Sequence, residues 1–170
     1  WSGRGYQDLV QPWVILDSPE ALDAAIWEVR RTPRPEAPLA TALGDALSYG
    51  LDLMGDAPDC DRRVIDVAGD GRNNEGISVA RTYEREDFTG ITINGLAVGE
   101  PEADIVEYYA DELIRGPGAF VEAARLASAA SSLRRVIKVS GAEEGDVMFP
   151  MLGRAMHEAG VMGADAFTQL

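Results

Sequence analysis

Bases, cysteines, histidines and long apolar runs are all scarce in this chain of 170 residues, and each scarcity removes a class of function. Fifteen Lys and Arg stand against 29 Asp and Glu, for a formal net charge of -14. Phosphate backbones are bound by basic surfaces, so this balance argues against nucleic acid and disfavours anionic membrane surfaces. The acidity itself reads as a solvated surface. Cys60 is the one cysteine, so no internal disulfide can form, and the redox compartment stays open. It sits between Asp59 and Asp61, whose charge disfavours a nucleophilic thiolate. His157, the one histidine, lies among methionines with no cysteine near it, which argues against a zinc site or a catalytic dyad there. No apolar run approaches the roughly 20 residues needed to span a bilayer. No signal peptide is visible, but the chain opens at Trp1 without a methionine, so this absence decides nothing.

What is present suits one soluble domain with a real core: 46% hydrophobic and 26% charged residues. The most informative stretch runs from Arg63 to Gly76. Arg63-Val64-Ile65-Asp66-Val67-Ala68 reads as a short buried strand, apolar and β-branched apart from Asp66. Gly69-Asp70-Gly71 follows, glycines flanking an acid, and Asn73, Asn74 and Gly76 continue the turn chemistry. A helix is expected from about Ile77 to Glu86. Strand, acidic loop and helix in that order build a site at the carboxyl end of an open α/β sheet.

Elsewhere, Tyr6 to Leu16 reads as a strand, demoted to an edge by Pro12. Ser18-Pro19-Glu20 starts a helix whose Leu22, Ala25, Ile26 and Val29 share one face. The stretch from Leu39 opens a second helix, with a stripe at Leu43, Leu47, Leu51 and Met54. Ile91 to Val98 is a second confident strand. Ile105, Tyr108, Tyr109 and Leu113 mark a helix from about Glu102, the tyrosines reading as core and rim packing. Ala119 to Val121 is expected as a short strand and Ala123 to Lys138 as a helix. Val136 to Ser140 fits a strand or a helix end, and Phe149 to Met162 has helical patterning. Alternating helices and strands imply an α/β sheet.

Several words occur in order: Trp1-Ser2-Gly3, Pro12-Trp13, Thr41-Ala42-Leu43-Gly44-Asp45-Ala46-Leu47, Arg62 to Gly71, Asn94-Gly95-Leu96-Ala97 and Gly116-Pro117-Gly118-Ala119-Phe120-Val121. Together they resemble a bacterial branch, of unknown function, of the von Willebrand factor type A family, from Trp1 to about Ala124. The resemblance implies a Rossmann-like, open and mostly parallel sheet with helices on both faces. It also implies a metal-ion-dependent adhesion site, where three loops hold a divalent cation, usually magnesium. Thr41 matches the second loop and Asp70 the third. The Asp-x-Ser-x-Ser of the first loop is absent, and Trp1-Ser2-Gly3 matches the end of the family's second strand. The resemblance therefore implies a domain truncated at its N-terminus over residues 1–124, followed by an unmatched helical extension over residues 125–170. It also favours an extracytoplasmic, exported location.

Each candidate has a plainer reading. Asp70 between glycines is ordinary turn chemistry, although its place after a buried strand favours a ligand. Thr41 alone would be a helix cap. Asp66, in a strand covered on both faces, suits a structural or supporting role more than direct ligation. Asn73 and Asn74 suit loop formation, with orientation of a bound water or partner as the alternative. Glu143, Glu144 and Asp146 read as a solvated turn.

The first functional expectation is a non-enzymatic adhesion-type module binding an unidentified protein through Thr41, Asp70 and magnesium. With one loop missing, magnesium should bind weakly or not at all. The rival is a magnesium-dependent α/β hydrolase using Asp66 and Asp70, and the third is a fragment without activity of its own. Truncation would also orphan the central strand, leaving a gap of about 14 Å towards Tyr6 to Leu16. Instability or self-association through unpaired strands is the expected outcome, and pairing by Val136 to Ser140 the disfavoured one.

Overall fold

The structure, a computed structural model, describes residues 1–33, 36, 40–98, 104–124 and 136–142. Helix α1 is Pro19–Arg31, helix α2 Leu43–Met54, strand β1 Arg62–Gly69, helix α3 Val79–Arg85 and strand β2 Ile91–Val98. Helix α4, Ile105–Tyr108, runs into a π-helical turn, Tyr109–Leu113, and strands β3, Val121–Ala124, and β4, Val136–Ala142, follow.

The strands form one open sheet in the order β3-β2-β1-β4. β1 and β2 are parallel, with Ile65 beside Ile93 and Asp66 beside Asn94. β2 and β3 are also parallel. Together with the helices that connect them, these three strands make an α/β architecture. Alternation along β1 and β2 sorts their side chains by face. Ile65, Val67, Ile93 and Ala97 join Leu43, Leu47, Val79, Phe88, Tyr109 and Leu113 in the main core. The described helices α2, α3 and α4 thus cover this face. Asp66, Ala68, Asn94, Leu96 and Val98, all buried, belong to the other. Helices on both faces are the expectation, and α2, α3 and α4 take the one that holds the main core.

Helix α1 begins as its sequence requires. Ser18 caps it by accepting from Ala21 N, Pro19 takes the first turn, and Arg30 and Arg31 end it. Tyr109 explains two glycines. A methyl group at Gly69 would lie 2.5 Å from its hydroxyl, and one at Gly95 would lie 2.9 Å from its ring. Only glycine lets the ring settle this close to both strands.

Four expectations are corrected. Tyr6 to Leu16 forms no strand. Its path is set by a turn in which Tyr6 N donates to Gly3 O and by Trp13, whose Nε1 donates to Leu53 O at 3.1 Å. Pro12 has no N–H to offer a ladder. The expected strand at Ala119 to Val121 lies slightly later, at Val121–Ala124. The expected helix over Ala123 to Lys138 is contradicted at both ends, which are strands, while residues 125–135 lie outside the description. Its β-branched end prefers a ladder to a helix terminus.

The fourth correction concerns β1 itself. Val136–Ala142 pairs antiparallel along it, from Arg62 opposite Ala142 to Ala68 opposite Val136. The disfavoured outcome is the observed one. The backbone of β1 is therefore paired on both sides, which relieves the penalty that exposed ladder groups would carry. The expected helix at Phe149 to Met162 and the acidic run at Glu143, Glu144 and Asp146 lie outside the described residues.

Candidate functional site

The carboxyl end of β1 gathers the loops that matter. β1 stops at Gly69, and Asp70 opens the loop that leads to α3. Thr41, just ahead of α2, is buried against that loop. Its N–H donates to Asn74 Oδ1 at 2.8 Å, and its carbonyl accepts from Asn74 N at 2.9 Å. This reciprocal pair fixes Thr41 to the loop as two rungs fix a strand. A methyl group at Gly71 would lie 3.4 Å from Thr41 Oγ1, so the hydroxyl faces the residue that follows Asp70.

Thr41 is not the helix cap. That position belongs to Ala42, whose side chain caps nothing. The orphan donors of the first turn find partners elsewhere: Gly44 N donates to Asn73 Oδ1 at 3.1 Å. Asn73 thereby ties its loop to the start of α2. Asp45 completes the clamp by accepting from Ile77 N at 2.7 Å. Gly76 turns beneath it with φ +70, a conformation that side-chain-bearing residues rarely adopt.

The N-terminal arm closes one side of the cluster. Ser2 O accepts from Ala42 N at 3.0 Å, and Arg4 N donates to Glu75 Oε2 at 2.7 Å. The far side is Arg72, which pairs with Asp104 and lies over the ring of Tyr108, 5.1 Å from its centroid. Tyr108 accepts from Asn73 N at 3.4 Å. Burial raises its phenol above the ordinary value, outweighing the opposing pull of that N–H and of Arg72.

Asp66 stands apart from this cluster. It is 3% exposed, and its Oδ1 accepts from Asn94 Nδ2 at 2.8 Å in the middle of the sheet. Three steps along the strand take it to Gly69, about 10 Å at the usual rise per residue. The structure thus brings Thr41 to the Asp70 loop and leaves Asp66 in the interior. Asn94, Asp45 and Asn74 were missed as partners. A usable signal existed for Asn94, since one polar residue in each of two apolar strands invites pairing.

Among the described residues, no three His, Cys, Asp or Glu side chains are grouped to hold a metal ion. The donors at this end of the sheet are hard oxygens, a hydroxyl at Thr41 and a carboxylate at Asp70. These are oxygens of the kind magnesium takes, and two side chains are too few for a dedicated cage.

A family model described as a protein of unknown function, DUF1194, matches residues 1–135. The chain belongs to the DUF1194 family. The DUF1194 match takes in the whole loop cluster and ends one residue before β4. No curated protein and no solved structure matches the chain significantly. No helix among the described residues of this DUF1194 chain is long and apolar enough to cross a membrane.

Proposed function

We propose that this DUF1194 chain is a non-enzymatic protein-binding module of the von Willebrand factor type A kind. Its contact surface is the loop cluster beyond the carboxyl end of β1. The observation that carries the reading is the Thr41–Asn74 clamp, which holds one expected ligand loop against the other. Ligands of open α/β sheets collect at this end. Thr41 and Asp70 would hold magnesium, which when bound offers open positions to a partner's carboxylate. Asn73, Asn74 and Asp45 keep the two loops in register, so less ordering remains to be done on binding. The hydrolase reading loses support because Asp66 is committed to Asn94 within the sheet and is not gathered with Asp70.

Calorimetric titration of magnesium, beside a phosphatase and esterase screen, tests the reading. Weak binding, roughly millimolar, that disappears in Asp70→Ala with no turnover is the expected result. Magnesium-dependent hydrolysis abolished by the same substitution would overturn it.

A further inference from the structure

Eight large hydrophobic side chains are exposed among the described residues, and seven of them lie between Tyr6 and Trp27. They are Tyr6, Leu9, Val10, Val14, Ile15 and Leu16 of the N-terminal arm, and Trp27 of α1, which is 59% exposed. Single exposed apolar residues are ordinary, but a concentration in one segment marks a binding surface. Helix α1 buries only Ile26 of its 13 residues, so most of its surface is left for something else.

That surface has a definite shape. A groove of about 390 Å³ runs between the arm and the helix, with Gln11 and Val14 on one wall. Ala21, Ala24, Ala25 and Glu28, at helical spacing, form the other, and Trp27 stands at its edge. Alanines leave room for a partner's larger side chains, and Trp27 supplies the kind of flat aromatic that anchors interfaces.

Charge selects the occupant. From Gly5 to Val29 the chain carries Asp8, Asp17, Glu20, Asp23 and Glu28 and no basic residue. The first base of α1, Arg30, comes at its carboxyl end, and Arg31 is already paired with Glu28 and stacked over Trp27. A second copy of a chain with a net charge of -14 would be repelled. We propose that the groove between the arm and α1 receives a cationic amphipathic helix of another protein. Apolar residues on one face of that helix would enter over the alanines, with lysines or arginines meeting the acidic residues that the arm and α1 carry.

The probe is a synthetic amphipathic helix of leucine and lysine, about 15 residues long, with a leucine–glutamate analogue as control. Amide NMR of the full chain should show saturable shifts at Val14, Ala21, Ala24, Ala25 and the Trp27 indole, weakened by salt. Trp27→Ser, an exposed change that leaves the core intact, should weaken binding roughly tenfold or more. Glu20→Lys with Asp23→Lys should weaken it as well while preserving the fold. Binding by the glutamate analogue, shifts scattered over other acidic surface, or no saturation would overturn the proposal. Concentration-dependent shifts at the same residues without peptide would also overturn it, by showing that copies of the chain occupy the groove.

Discussion

Asn94 Nδ2 donates to Asp66 Oδ1 at 2.8 Å, joining two buried polar residues that stand side by side on parallel strands. The same asparagine takes Phe120 N on its Oδ1 at 3.3 Å, so it also ties in the start of β3. Asn94→Ala should destabilise the fold by about 2 kcal/mol, because the carboxylate loses a donor where water cannot replace it. Thermal or urea unfolding reads this directly. An unchanged midpoint would show that the pair contributes nothing.

The Thr41–Asn74 clamp makes a separate claim, since it concerns the site more than the core. Asn74→Ala removes the acceptor of Thr41 N and should cost about 1 kcal/mol of stability. Magnesium affinity should fall more, roughly tenfold, as the loop carrying Thr41 loses its register. A loss of stability with unchanged metal affinity would separate the clamp from the site.

Alkaline titration should reveal Tyr83. Burial raises its phenol well above the ordinary value of 10.0, against the opposing charge of Arg115. Its hydroxyl donates to Leu113 O, and its ring carries the Arg115 guanidinium 4.3 Å from the centroid. A raised folded value means that the unfolded chain releases this proton first. Stability therefore holds below about pH 10 and falls as pH rises above it. In Tyr83→Phe this alkaline decline should be shallower, although the protein starts less stable at neutral pH. An identical slope in both proteins would contradict the assignment.

Pairing of β4 with β1 predicts slow hydrogen exchange across Arg63 to Ala68 in a proven monomer. Val139→Pro, placed opposite Ile65 in the ladder, should speed exchange along that edge. Fast exchange in the unaltered chain would show that β1 lacks this second partner.

How much of this was legible in the residues depends on the range of the interactions involved. β1 and β2 were readable because buried parallel strands are continuous apolar runs, and α1 because Ser18 and Pro19 mark its start. Residues 6–16 were misread because a mixed apolar pattern by itself does not supply a neighbour to pair with. The position of β4 was misjudged for the converse reason. Its composition allowed a strand, and the deciding fact was an open edge on β1, more than sixty residues earlier in the chain. At the candidate site, the loop that Asp70 opens was visible from its flanking glycines. The task of Thr41 was not, because its partner, Asn74, lies across a loop and bonds to its main chain.

The proposed site joins Thr41 and Asp70 in one cation-binding, partner-facing surface, and paramagnetic manganese reads it directly. Substituted for magnesium in amide NMR, manganese should broaden Thr41, Ala42 and the residues from Gly69 to Asn74 first, and Asp70→Ala should abolish that pattern. Broadening that begins instead on the acidic surfaces around Glu20 or Glu112, or that persists unchanged in Asp70→Ala, would contradict it.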